Sequence, residues 1–381
     1  MIEQIQLQNF KVARDIDVRL APLTVLAGLN GSGKSTLLQS LSCLRQSYGS
    51  GTRGLVLGGE LVQLGQGRDV ISDGTDSGDA ISISIKESNK TYSWKCVYKD
   101  DANLLEFSKK PKKKPNFIVT PDFQYLQADR IVPSTLYPQA QQQARDAGFL
   151  GAHGQFTMDY LARNEKDVVS AQRRFRRKEL HKSVGLPPNL ELLNKVAPTD
   201  RLLDQVSGWL QYLSPGACLT VEKIPGTDEV RLQYSYAGRH RSVKIGNYRP
   251  TNVGFGLTYS LPILVATLAA KQNALLLLEN PEAHIHPQGQ AVLGELLACA
   301  ASDGVQIIVE THSDHLLNGI RLAVKHKILS HDRVALHFFT RPVDTGESYV
   351  QSPDIFSDGT LSNWPDGFFD QWDKSLDNLL G

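Results

Sequence analysis

Apolar positions change period several times along the chain, and each change marks an element. Ile2, Ile5, Leu7 and Phe10, then Ile16, Val18 and Leu20, predict two short strands around a turn. The unbroken run Leu23-Thr24-Val25-Leu26-Ala27 predicts a buried strand; after a glycine-rich loop, Thr36 to Leu41 predicts the start of a helix. Ile81, Ile83 and Ile85 share one parity, and so do Tyr92, Trp94, Cys96 and Tyr98. The polar turn Glu87-Ser88-Asn89-Lys90 between them makes this a hairpin. From Pro133 to Leu213 the Gln, Arg and Leu spacing predicts an inserted helical lobe. A second hairpin set follows at Val221–Lys223, Val230–Tyr234 and Val243–Ile245, with turns at Pro225–Asp228 and Ala237–His240. Val253 to Ala270 predicts a helix. Ala274–Leu278 and Val305–Val309 predict buried parallel strands flanking another helix.

Composition narrows the class. With 381 residues, 41% hydrophobic and 21% charged, the chain reads as globular, with two or three lobes at roughly 150 residues each. Basic and acidic residues nearly cancel, 41 against 40, so nucleic-acid binding has to rest on local patches. Cys43, Cys96, Cys218 and Cys299 form no CxxC pair and read as reduced thiols. The first residues lack a signal pattern, and the apolar run Leu257–Ala270 is too short for a bilayer. A cytoplasmic chain without a membrane partner is expected.

The chemistry concentrates in four places. Gly28-Leu29-Asn30-Gly31-Ser32-Gly33-Lys34-Ser35, followed by Thr36, matches G-x-x-x-x-G-K-S/T between a predicted strand and helix. Glycines let backbone N–H groups turn around phosphate oxygens, Lys34 reaches the β/γ-phosphates and Ser35 offers a hydroxyl to Mg²⁺. The run Leu275–Leu278 ends in Glu279-Asn280-Pro281-Glu282, where a carboxylate at a strand's C-terminal edge suits a nucleotide-bound Mg²⁺. Gly254-Phe255-Gly256 opens a helix, a second phosphate-facing turn. Glu310-Thr311-His312-Ser313 puts His312 at the end of the next strand, where capping or core packing is the plainer alternative. His284 and His286, two apart before Pro287, are not a helical ligand pair and are expected to be structural.

In order, Asn9-Phe10-Lys11, the glycine loop, Gly254–Gly256, Leu275–Pro287 and Glu310–His315 resemble the ABC-type, AAA-family ATPases of the SMC and OLD-like groups. The tail, with Trp364-Pro365-Asp366-Gly367-Phe368-Phe369-Asp370-Gln371-Trp372, is similar to a subgroup with an uncharacterised C-terminal region. The resemblance covers both ends of the chain well and the middle weakly. It implies an α/β P-loop ATPase head with a mixed sheet, a β-rich side lobe and an inserted helical lobe. The expected division is 1–130, 131–215, 216–343 and an acidic aromatic region 344–381. It also implies two protomers that sandwich two ATPs: Gly28–Thr36 binds phosphate, Gly254 and Gly256 close on the opposite γ-phosphate, Glu279 takes the Mg²⁺ position and His312 is the switch histidine.

Two departures change what is expected. Asn280 stands where the family usually has the glutamate that polarises water, and an amide cannot accept a proton. Either Glu282 or Glu279 compensates, or hydrolysis is slow. The signature turn also lacks the Ser-Gly-Gly-Gln form. The residues after His312 are too few for a nuclease domain, so no nuclease activity is expected in this chain. Two basic runs remain: Lys109–Lys114, expected in a hairpin loop, and Arg173–Lys178, expected on a helix of the inserted lobe. Each is either a solvated face or a footprint for a DNA backbone. The expected function is a slowly hydrolysing, ATP-gated dimer that clamps or senses DNA in bacterial defence or genome maintenance, with a separate effector. The alternative is a nucleotide-gated scaffold that holds a toxin or nuclease without nucleic acid.

Overall fold

The computed structural model describes residues 1–49, 51, 53–75, 80–175, 197–237, 244–365, 367–369 and 371–380. In chain order it begins with β1 (Ile2–Phe10), β2 (Ala13–Arg19), β3 (Leu23–Gly28), α1 (Lys34–Gly49), β4 (Gly54–Val56) and α2 (Gly67–Val70). There follow β5 (Ile81–Glu87), β6 (Lys90–Cys96), β7 (Leu104–Lys109), α3 (Asn116–Val119), β8 (Phe123–Leu126), β9 (Leu136–Pro138), α4 (Gln142–Asp146) and α5 (Thr157–Asn164). Beyond the intervening segment lie α6 (Leu202–Leu210), β10 (Ala217–Lys223), β11 (Glu229–Ala237), β12 (Lys244–Tyr248), α7 (Phe255–Ala269), β13 (Leu275–Glu279) and α8 (Pro287–Ser302). The chain ends with β14 (Gln306–Glu310), α9 (Asp314–Lys325), β15 (Val334–Thr340), β16 (Tyr349–Gln351) and α10 (Gln371–Leu380).

Two units divide these elements: residues 1–120, 308–314 and 331–381 form the first, and 121–307 with 315–330 the second. In the first, an antiparallel sheet runs β2-β1-β5-β6-β7-β4. Ile5 faces Ile85 and Leu7 faces Ile83, and all four are buried, so the shared parity becomes one apolar face. The β5–β6 turn places Ser88 and Asn89 at φ +51 and +60, the left-handed pair that a two-residue hairpin turn needs. A second sheet in this unit runs β16-β15-β3-β14. Its strand β3 pairs in parallel with β15, from Leu23 opposite Val334 to Gly28 opposite Phe339. Leu23 through Ala27 are fully buried, which is why that stretch is apolar without alternation.

In the second unit β13 pairs in parallel with β8, Leu275 opposite Phe123 and Leu278 opposite Leu126. Strands β10-β11-β12 form an antiparallel sheet, and β9 adds to β11. The predicted strand-helix-strand is present as β13, α8 and β14.

Three expectations change in detail. Residues 133–213, expected as a helical lobe, hold strand β9 as well as the short helices α4, α5 and α6, and 176–196 lie outside the described residues. Strands of three or four residues such as β8 and β9 are too short for alternation to show. The lysine run is not a hairpin loop: Lys109 ends β7, and the rest leads into the one-turn α3. Arg173 lies in a 3-10 turn, Ala171–Arg173, with its side chain buried; Arg176–Lys178 and the turn residues Gly238–His240 fall outside the described residues. The aromatic tail packs inward in part. Phe368 is fully buried against Phe338 at 5.1 Å, with Trp364 and Phe369 around it.

Candidate functional site

In the first unit, β3 delivers the chain into a loop whose Gly28, Gly31 and Gly33 have φ of +141, +75 and +103. These are conformations that side chains rarely adopt, so the glycine spacing is a backbone requirement. A Cβ on Gly28 would sit 2.2 Å from the Phe339 carbonyl oxygen; one on Gly33 would sit 2.6 Å from Ser348 Oγ. Gly31, in contrast, faces open space. Asn30 and Gly31 are exposed at the loop tip, while Ser32 and Thr36 are buried. Helix α1 then starts at Lys34 with no acid in its first turn, which leaves its positive end available to an anion.

Lys34 is nearly fully buried, and its Nζ donates to the carbonyls of Gly28 at 3.0 Å and Leu29 at 2.8 Å. Ser35 Oγ donates to Glu310 Oε1 at 3.0 Å, and that oxygen lies 3.9 Å from Lys34 Nζ. Glu310 is itself buried at the end of β14, and the backbone N–H of Thr311 donates to the Leu26 carbonyl of β3. His312 follows with an exposed edge. Burial of the rest of its ring and, second, the Lys34 charge hold it below the usual histidine range, so it is neutral at pH 7. This set fits a nucleotide with Mg²⁺: turned backbone and a lysine for phosphates, and hard oxygens on Ser35 and Glu310 for the cation. Glu310 has no role in the motif reading, although the signal was there: an acid closing an apolar strand, as at Glu279.

The other candidates belong to the second unit. Glu279, at the end of β13, accepts from the Tyr125 hydroxyl and from the Ala128 backbone N–H at 3.1 Å; burial raises its carboxyl above the usual range. Arg130, also unforeseen, donates from Nη1 to the Glu279 carbonyl at 2.6 Å and from Nη2 to the Asn280 carbonyl at 2.8 Å. Its guanidinium lies 4.5 Å from the centre of the Tyr259 ring. The arginine therefore pins the backbone at the strand end, where Asn280 takes φ +42. Asn280 Oδ1 is buried without a hydrogen-bond partner among the described residues, and Glu282 is buried close by in sequence.

Gly254 caps α7 in open space, whereas a Cβ on Gly256 would lie 2.2 Å from the His284 carbonyl oxygen. His284 packs against Phe255 and Tyr259 at 4.6 and 4.9 Å, and His286 accepts from the Gln288 N–H to cap α8. Both histidines serve structure, as their spacing predicts.

A family model described as "AAA domain, putative AbiEii toxin, Type IV TA system" matches residues 23–318, most of the chain. The chain belongs to this family. A second model, "Protein of unknown function (DUF3696)", matches residues 329–379 of the AAA chain, the region with the inward aromatic cluster. An OLD nuclease of Thermus scotoductus is 44% identical over 41 residues, which is 11% of this chain. The chain spans only 8% of that relative's length. Among solved structures, the Smc head bound to the C-winged helix domain of ScpA is 14% identical with a TM-score of 0.50, covering 93% of this chain and 98% of that one. An Smc head domain with an extended coiled coil, bound to the C-terminal domain of ScpA derived from Pyrococcus furiosus, is 13% identical with a TM-score of 0.50, covering 100% and 99%. These likenesses concern the fold. The chain is an AAA-domain chain whose P-loop ATPase fold is similar to that of the Smc heads. Among the described residues no helix is long and apolar enough to cross a membrane.

Proposed function

We propose that this AAA chain is an ATP-gated clamp: a homodimer that closes around two ATP·Mg²⁺, hydrolyses them slowly and acts on DNA beside a separate effector. The observation that carries the reading is the set of buried Lys34 and Glu310 with half-buried Ser35 at the head of α1, under a glycine loop turned for phosphate. Gly28 to Thr36 hold the phosphates, and Ser35 offers its hydroxyl to Mg²⁺. When bound, Mg²⁺ neutralises charge on the phosphates. His312, neutral, is able to accept a hydrogen bond near the γ-phosphate. The family description names a toxin–antitoxin system, which supports a defence role. For DNA, the exposed Lys109, Lys110, Lys112, Lys113 and Lys114 remain as a backbone footprint. Arg173 does not contribute, because its guanidinium is buried on Asp303.

Closure is tested by light scattering of the full chain without nucleotide, with ADP and with a non-hydrolysable ATP analogue. Shifting the dimer from 1:99 to 99:1 closed takes about 5.5 kcal/mol. Two γ-phosphates, each gaining charge-assisted contacts of about 1.5–3 kcal/mol, can supply it, and ADP cannot. Gly254→Asp is expected to block the shift by repelling phosphate, since its Cβ meets open space and folding is spared. Gly256→Asp is unsuitable, because its Cβ would strike the His284 carbonyl. The same series with duplex DNA at rising salt is expected to give binding that strengthens with the analogue and weakens with salt. A geometry identical in all nucleotide states sinks the clamp; a stable protein complex devoid of nucleic acid replaces DNA with the scaffold reading.

Turnover gives a separate check. Asn280 cannot accept a proton, so the rate is expected well below the median enzyme value of about 10 per second. Asn280→Glu is expected to raise it, or at least to preserve it. Fast wild-type hydrolysis that Asn280→Glu destroys would mean that the acid and base roles lie elsewhere.

A further inference from the structure

Ser35 and Glu310 are 275 residues apart in sequence, yet their side chains meet at 3.0 Å beside Lys34, and all three belong to the same unit. Glu279, which the family resemblance puts at the Mg²⁺ position, has its two carboxylate oxygens engaged by Tyr125 and the Ala128 N–H. The acid that physically holds the metal-side hydroxyl is Glu310. We infer that Glu310 is a second metal-side carboxylate of the nucleotide site. It anchors Ser35 and balances Lys34 before nucleotide enters, and offers its oxygen to the cation afterwards.

Three features argue for this role rather than for packing alone. Glu310 Oε1 serves both neighbours at once, accepting the Ser35 hydrogen bond while lying within ion-pair distance of Lys34. Its carboxylate is almost completely buried, where an anion is costly unless it meets cationic charge. Its strand is fixed against β3 by the Thr311 to Leu26 hydrogen bond, so the carboxylate is preorganised beside the loop. An anion so close to a triphosphate is unfavourable without a metal and favourable with one. That opposition of sign is the signature of the role.

The inference rests on the nucleotide-site reading above, and the test separates the two. A fluorescent, non-hydrolysable ATP analogue is titrated against the full chain, once with Mg²⁺ and once with EDTA. In wild type, Mg²⁺ is expected to tighten binding. In Glu310→Gln the Mg²⁺ enhancement is expected to fall by about ten- to a hundredfold, while metal-free affinity holds or rises. Where Glu310→Gln melts below wild type, Glu310→Asp and Glu310→Asn, equal in size and different in charge, supply the same comparison. Mn²⁺ bound with the analogue, counted by electron paramagnetic resonance, should be retained in the Asp variant and lost in the Asn variant. An undiminished Mg²⁺ enhancement in Glu310→Gln, or equal losses with and without Mg²⁺, overturns the inference and leaves the nucleotide site standing. A wild-type chain that binds no analogue under either condition overturns both.

Discussion

Lys34→Ala is expected to abolish measurable ATP binding. In the present structure the ammonium is buried and held by two loop carbonyls, with Glu310 at 3.9 Å. The same position lets it meet phosphate oxygens entering over the loop, each charge-assisted contact contributing about 1.5–3 kcal/mol. Losing two such contacts weakens binding by about a hundredfold or more. Truncation also withdraws the cation from beside the Glu310 carboxylate, so some stability is lost with it. Calorimetric titration paired with a melting curve separates the two effects. A folded Lys34→Ala chain with wild-type affinity would remove the nucleotide site from this loop.

The largest loss of stability is expected from Arg173→Ala. Arg173 Nε donates to Asp303 Oδ2 at 2.9 Å, and Nη1 donates to the carbonyls of Thr267 at 2.9 Å and Ala270 at 2.6 Å. Thr267 and Ala270 lie at the C-terminal end of α7, and Asp303 caps the C-terminus of α8. One guanidinium thus satisfies orphan carbonyls and the negative ends of two helices. Burial lowers the arginine's pKa, and the neighbouring Asp303 opposes that shift. Removing one partner of a buried ion pair typically costs about 3–5 kcal/mol. Arg174→Ala is the internal control: its contact to Asp200 at 3.0 Å is partly exposed and screened, worth about 1 kcal/mol or less. Urea unfolding should show a clear midpoint shift for Arg173→Ala and little for Arg174→Ala. Equal shifts would mean that Arg173 works as a surface charge after all, and would return it to the candidate DNA footprint.

These residues show where the reading of the chain succeeds. The phosphate loop is legible because its requirement is local: Gly28, Gly31 and Gly33 supply backbone angles that other residues resist, within six positions. Strands β3, β13 and β14 are legible because burial on both faces demands unbroken apolar runs. The first hairpin is legible from matching parity across a turn whose two central residues take left-handed angles.

The environment of a charged side chain is another matter. The five basic residues between Arg173 and Lys178 look alike in sequence, yet the first is buried between helix ends. Glu310 and Glu279 each end an apolar strand, and nothing local tells them apart; only the packing of β14 against β3 brings Glu310 to Ser35. Arg130 carries no motif at all, and it is the fold that places it on the Glu279 and Asn280 carbonyls. Periodicity and glycine spacing act over a few residues, so the chain by itself determined its family, its longer buried strands such as β3, β13 and β14, and its phosphate loop. Coulomb interactions and hydrogen bonds act over a few ångströms whatever the separation in sequence, so which acid meets Ser35 and which arginine is buried was decided only by tertiary structure.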